Sequence, residues 1–242
     1  MSFTYKYAPK TLDEVVISSA TVRNKMESYI KGGNVQPLIL HGYFGAGKTS
    51  IADLLPNAIE GKKANVKRLK AIEFNTVYDV AEMFDAPPTF YKLFTIDGQK
   101  RNYIVTNEFN FTVKAALAFR DVVDEMQEHT QFIFTTNDLS RIDSGLQDRS
   151  ICLLVPPATA KDWMPRAKYI LQCEGVSMSD AKLYDLMNKQ LAVSHSNRKL
   201  LEKLEEVVWD VKNPKPNDGG IEAEDFTPVP QAPNLNPLAA MH

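Results

Sequence analysis

The residues best placed to do chemistry lie in one short run, Gly42-Tyr43-Phe44-Gly45-Ala46-Gly47-Lys48-Thr49-Ser50. It follows the apolar stretch Leu38-Ile39-Leu40-His41 and leads into helix-forming residues. Glycines at these spacings let the backbone curl so that its N–H groups point inward, a nest for phosphate at a helix N-terminus. The Lys48 ammonium would reach the β- and γ-phosphates, and the Thr49 hydroxyl would hold Mg²⁺. Gly42, Gly45, Ala46, Gly47 and Ser50 complete the cradle, so ATP and Mg²⁺ are the expected cofactors. A glycine-rich turn that binds nothing is the bland alternative; strand, spacing and Lys-Thr together speak against it.

Hydrolysis also needs a group that orients or deprotonates water. Glu108 follows the buried-looking stretch Tyr103-Ile104-Val105-Thr106 and is the candidate. Asn137 ends a further apolar stretch and would set a polar side chain beside the γ-phosphate. Arg149 directly precedes the last apolar stretch. Taken singly, such a Glu is usually a solvated cap and such an Arg a surface residue. Their order behind a phosphate loop is what lends them weight.

These residues need a scaffold. Five short apolar segments read as strands: Leu38–His41, Ala71–Phe74, Tyr103–Thr106, Phe132–Thr135 and Ile151–Val155. Helical stretches alternate with them at Thr49–Leu55, where Pro56 ends or kinks the helix, at Val77–Phe84 and at Val113–Glu128. The alternation implies an α/β fold with a doubly wound parallel sheet, whose ligand sits at the strand C-terminal ends. After Pro156-Pro157 the pattern turns helical over Ala160–Cys173, Ser179–Gln190 and Asn197–Val211. The expected organisation is a nucleotide-binding domain over 1–156, a small helical domain over 157–211 and a proline-rich tail over 212–242, extended or disordered when free.

Composition bounds the rest. With 44% hydrophobic and 24% charged residues the chain is an ordinary globular protein. No apolar run approaches the about 18 residues of a membrane span, and the N-terminus lacks a signal peptide's apolar core. Cys152 and Cys173 suggest neither a disulfide framework nor a metal site. A cytoplasmic protein is expected. The net charge of −2 does not advertise nucleic-acid binding, so such contact would come from a local patch. The densest basic run, Lys62, Lys63, Lys67, Arg68 and Lys70, reads first as a solvated loop and strand edge, with a DNA track as the other reading.

With these residues in place the chain resembles the AAA+ ATPases, and among them the small ATPase subunits of DNA-polymerase clamp loaders, the phage-encoded ones most. Tyr5-Lys6-Tyr7-Ala8-Pro9-Lys10-Thr11-Leu12-Asp13-Glu14-Val15-Val16 is similar to the family's opening motif, which lines the adenine pocket and implicates Tyr7, Pro9, Val15 and Val16. Asn107-Glu108-Phe109-Asn110 resembles the Walker B sequence, with Asn107 near the metal. Asn137 falls at sensor 1, Gln147-Asp148-Arg149-Ser150 resembles the S-R-C motif, and Arg198 matches the sensor 2 arginine. The resemblance spans about residues 3–211. It implies that Arg149 reaches the neighbouring subunit's ATP, having no other acceptor in this scheme, and that Arg198 ties a helical lid to the γ-phosphate. It implies further that Lys114, at the start of a helix, touches DNA phosphate, although an exposed lysine there is usually only solvated. Neighbouring AAA+ subunits, a sliding clamp and primer–template DNA are the implied partners, and the implied location is the host cytoplasm for a phage-encoded chain.

Three departures matter. Asn107 and Asn110 stand where the family has aspartates, so an amide replaces a charge near the metal. Ala8 replaces an arginine, and Asp148 replaces a serine beside Arg149, where it either pairs with that arginine or faces solvent. No collar domain is expected in this chain after the helical domain, which implies a possible collar-supplying subunit. Two other readings stand beside a hydrolysing clamp-loader subunit: a nucleotide-binding scaffold that barely turns over, and a small-molecule kinase using the same loop.

Overall fold

The computed structural model describes residues 2–70, 95, 98–107 and 113–214, without the side chains of Lys70, Val113 and Lys114. In chain order the elements are α1 (Phe3–Lys6), α2 (Ala20–Ile30), β1 (Leu38–His41), α3 (Lys48–Glu60), β2 (Lys67–Lys70), β3 (Asn102–Asn107), α4 (Val113–Met126), β4 (Thr130–Thr136), α5 (Ser144–Asp148), β5 (Ile151–Leu154), α6 (Ala160–Cys173), α7 (Asp180–Ser194) and α8 (Asn197–Lys212). The strands expected at Ala71–Phe74 and the helix at Val77–Phe84 lie outside the described residues.

Two units divide this chain. Of the described residues, one contains those of Ser19–Tyr43 and Gly47–Pro156; the other contains those up to Ser18, Phe44–Ala46 and those from Pro157 to Pro214.

The first unit is built on a five-stranded sheet of order β2-β3-β4-β1-β5. All four pairings are parallel, with Leu38 opposite both Ile133 and Ile151, Val105 opposite Ile133 and Lys67 opposite Ile104. Parallel strands covered on both faces carry continuous apolar runs, and β4 is buried along its whole length. Helix α4 buries Ala115, Phe119, Val123 and Met126, spaced four, four and three apart, which is one helical stripe. Phe119 meets Phe132 and Phe134 edge-on at 5.8 and 5.7 Å between centroids. Because every strand runs the same way, Asn107, Thr136 and the loop after His41 emerge at one edge of the sheet.

Three details differ from the sequence expectation. Helix α3 runs through Pro56 to Glu60 and ends at Gly61 in the left-handed region, φ 67°. Burial of Leu55, Pro56 and Ile59 on one face outweighs the backbone hydrogen bond that proline cannot donate. Strand β2 forms over Lys67–Lys70, inside the basic run, because pairing to β3 and burial of Leu69 suffice for an edge strand. Helix α2 was not anticipated, although Val22, Met26 and Tyr29 are buried on one stripe and Ser19 caps it by accepting from the Val22 N–H.

The second unit packs Phe3, Tyr7, Trp163, Ala167, Ile170, Leu183, Met187, Leu200 and Leu204 into one core. Thr159 and Asp162 form a reciprocal capping box at the start of α6. His195, with φ 51°, ends α7, and Ser196 caps α8. Residues 2–18 thus pack with the helices. Phe3 stacks edge-on against Tyr7 at 5.0 Å. Ser2 Oγ and the Phe3 N–H both donate to Glu205. No helix among the described residues is long and apolar enough to cross a membrane.

Candidate nucleotide-binding site

The loop after β1 has the backbone that its glycines predict. Gly42, Gly45 and Gly47 take φ values of 136°, 73° and 99°, where a side chain is strained. Gly42 has a second reason to lack one: a Cβ there would lie 2.5 Å from the Val155 carbonyl oxygen. Gly47, in the left-handed region, turns the chain into α3, whose first N–H groups have no acceptor within the helix.

Lys48 is the first residue of α3 and is only 6% exposed. Its ammonium donates to the carbonyls of Gly42 at 2.9 Å and Tyr43 at 2.7 Å, and to Asn137 Oδ1 at 2.9 Å. All three protons are used, and burial lowers the lysine pKa. The same burial, with the Lys48 charge added, lowers that of His41 and favours a neutral imidazole there. Arriving phosphate oxygens would take over protons now held by carbonyls, so the ammonium is already directed at the mouth of the loop.

Strand register brings the next groups close. Asn107 ends β3 and Thr136 ends β4, one residue before Asn137. The Thr135 hydroxyl donates to Asn107 Oδ1 at 3.2 Å. Thr49 is exposed at the start of α3. Mg²⁺ prefers hard oxygen donors and takes much of its shell from phosphates and water. A hydroxyl at Thr49 and an amide oxygen at Asn107, which accepts one bond among the described residues, fit an ion held chiefly through its nucleotide. Glu108 and the side chain of Lys114 lie outside the described residues.

Arg149 sits at the C-terminus of α5. Its Nε lies 2.8 and 2.9 Å from the two Asp124 oxygens of α4, and Nη1 donates to the Gly145 carbonyl at 3.0 Å. The expectation that Arg149 has no acceptor in its own chain is therefore corrected. Its partner is Asp124, 25 positions earlier and invisible to local spacing. Asp143 starts α5 by accepting from the Leu146 N–H, and Arg120 of α4 donates to both Asp143 oxygens. That pairing holds the Asp143 carboxyl below the usual range. Gly145 leaves room for the Arg120 guanidinium, which a Cβ would strike.

Other expected residues belong to the helical unit. Tyr7 is buried and donates its hydroxyl to Glu174 at 2.6 Å, while Pro9, Val15 and Val16 are half-buried. The Tyr7 carbonyl accepts from Arg166 Nη2 at 3.2 Å, and Glu14 pairs with the same nitrogen at 3.3 Å. Sequence reading missed Arg166, a charge 7% exposed on an otherwise apolar helix face. Arg198 is exposed in the first turn of α8. In the same unit the Asn197 N–H donates to the Gly45 carbonyl at 3.0 Å, and a Cβ on Gly45 would overlap Ser196.

No family model matches the chain. It is 27% identical over 181 residues to replication factor C small subunit 2 of Pyrobaculum arsenaticum, covering 74% of this chain and 55% of the relative. It is 28% identical over 190 residues to the replication factor C small subunit of Picrophilus torridus, covering 75% and 57%, and 24% identical over 195 residues to that of Thermoplasma acidophilum, covering 76% and 58%. The chain thus spans about half the length of the curated relatives it matches. Among solved structures, the Thermotoga maritima RuvB Holliday junction branch migration motor superposes with a TM-score of 0.63 at 17% identity, covering 86% of this chain and 65% of that one. At that identity the likeness is one of architecture: the chain has an α/β P-loop fold like that of the RuvB motor.

Proposed function

We propose that this chain is an ATP-binding and ATP-hydrolysing subunit of an oligomeric clamp loader, of the AAA+ type, that opens a sliding clamp and loads it on primer–template DNA during replication. The observation that carries the reading is the Lys48–Asn137 bond at 2.9 Å. It joins the phosphate loop to a polar residue at the end of the neighbouring strand, so one γ-phosphate would be sensed by both. The names of the relatives, replication factor C small subunits, support the same reading.

In this reading the loop of Gly42, Gly45, Ala46, Gly47, Lys48, Thr49 and Ser50 holds the phosphates. Thr49 and Asn107 hold Mg²⁺, which when bound neutralises charge on the β- and γ-oxygens. Glu108 orients the attacking water. Tyr7, Pro9, Val15 and Val16 take the adenine, and Arg198 meets the γ-phosphate. Arg149 acts on a neighbour's nucleotide, and Lys114 touches DNA. The organisation is a nucleotide-binding domain over 1–156, of which residues 2–18 pack with the helices, a helical lid over 157–211 and a tail over 212–242. Hydrolysis is slow in the lone subunit and rises on assembly and on DNA. The decisive experiment is ATP turnover with and without clamp and primed DNA: stimulation by both together is expected, and a rate indifferent to either would overturn the reading. Asn107 favours one second reading, a scaffold subunit that binds nucleotide and barely hydrolyses it. That reading predicts stoichiometric ATP binding with no stimulated turnover.

A further inference from the structure

The first part of the basic run, Lys62, Lys63, Lys67 and Arg68, lies away from the nucleotide loop, whereas Lys70 pairs with Asn107. Parallel topology sets that first part toward the opposite edge of the sheet, because the segment 61–66 enters the N-terminal end of β2. Five of the chain's 28 lysines and arginines fall within residues 61–70, which contain no acid. There, Lys62, Lys63, Ala64, Asn65, Val66, Arg68 and Gln99 line a cavity of about 460 Å³.

The loop is held in place. Buried Gln99 donates through Nε2 to the carbonyls of Asn65 and Arg101 at 3.4 and 3.2 Å and accepts the Asn65 N–H. Asn57 Oδ1 accepts the Ala64 N–H at 2.8 Å. Nor do Lys62 and Lys63 serve to finish helix α3. Gly61 ends it in the left-handed region, and Lys100 Nζ already donates to the Ile59 carbonyl at 2.6 Å. Both lysines are exposed and make no ion pair among the described residues. The acids nearby are engaged: Glu60 accepts the Lys100 N–H and the Tyr103 hydroxyl, and Asp53 pairs with Arg68 Nε at 3.2 Å.

We infer that this pocket is a second phosphate-binding site, one that holds the phosphodiester backbone of a nucleic acid at the sheet edge remote from the nucleotide loop. Among the described residues its lining is cationic and amide, with Ala64 and Val66 as the only apolar side chains. It therefore lacks the aromatic or aliphatic anchor of a protein interface and offers what phosphate contacts use. A preorganised loop spends less ordering entropy on binding. The site stands on its own charge; only the source of the nucleic acid, replicating DNA, rests on the reading above.

The test is an anisotropy titration of labelled primed duplex DNA over a salt series, using the full chain with its nucleotide loop saturated by an ATP analogue. The triple variant Lys62→Gln, Lys63→Gln, Arg68→Gln is compared with the parent, and inorganic phosphate serves as competitor. Losing three phosphate contacts should weaken DNA binding at least about tenfold at low salt and reduce the slope of log affinity against log salt by about two to three. Affinity for the ATP analogue should not change. Equal affinity and slope in the two proteins would overturn the inference. So would saturation by micromolar inorganic phosphate, which would mark a small-ligand site, or preference for a polyglutamate peptide. A parent chain that ignores DNA altogether would overturn both this inference and the DNA arm of the proposed function, whereas an insensitive triple variant sinks only this one.

Discussion

Lys48 is a buried ammonium whose three protons already have acceptors, so it is oriented before any ligand arrives. Charge-assisted hydrogen bonds of this kind are worth about 1.5–3 kcal/mol each. Lys48→Ala should therefore weaken ATP binding at least about tenfold, and an unchanged isotherm would remove the basis of the proposed site. Asn107 makes the opposite kind of prediction. Its amide oxygen already accepts from Thr135, so Asn107→Asp adds a negative charge without needing a new geometry. A lower Mg²⁺ requirement and faster turnover are expected, and slower hydrolysis would show that this strand end is not beside the metal. Arg149 is anchored by a half-exposed pair with Asp124. Arg149→Ala should abolish assembly-stimulated turnover while leaving the lone subunit's ATP affinity intact. Asp124→Asn should reduce the stimulated rate by less, about tenfold, because it loosens the guanidinium without removing it.

Among elements, the buried stripe of α4 matters most, since that helix both fills the core and carries Arg120 and Asp124. Phe119→Ala should cost about 3–5 kcal/mol by cavity formation, read as a shift in the denaturation midpoint. The sequence reveals this helix because its apolar spacing repeats every three to four residues, and it reveals β1, β3, β4 and β5 because each has a short apolar run at its centre. The limits of that legibility have physical causes. Strand β2 has one buried leucine among three cations, so its pairing to β3, a long-range fact, decides it. Helix α3 passes Pro56 because tertiary burial outweighs local propensity. The backbone of the loop after β1 is legible at Gly42, Gly45 and Gly47, because the conformation their spacing demands is local. The Arg149–Asp124 and Arg166–Glu14 pairs were not, since each joins segments that only the fold brings together.

At the scale of the whole molecule, Glu174 fastens both ends of the described chain. Its side chain is 8% exposed and accepts from Lys6 at 2.6 Å, Tyr7 at 2.6 Å and Lys212 at 2.9 Å. Burial alone would raise its carboxyl. The bonds from Lys212, Lys6 and Tyr7 prevail and hold it at about 2. A depressed carboxylate pKa stabilises the fold above the ordinary range near 4.5 and loses that contribution as pH falls toward 2. With two partners half-exposed, the contribution is about 2 kcal/mol. Unfolding monitored through Trp163 should show stability falling across that window, and Glu174→Gln should remove the dependence. A parent protein whose stability is flat from pH 5 to pH 2.5 would contradict the assignment.

The same closure of ends has a consequence for how the chain is made. Phe3 and Tyr7 are synthesised well before their partners Glu174, Leu204 and Glu205. At about 5–20 residues per second the gap is roughly 10–40 s. During it the sheet unit has most of its own contacts available, whereas Phe3 and Tyr7 have only each other. Phe3 and Tyr7 must therefore wait without the rest of their core, which can close only once α8 has been made.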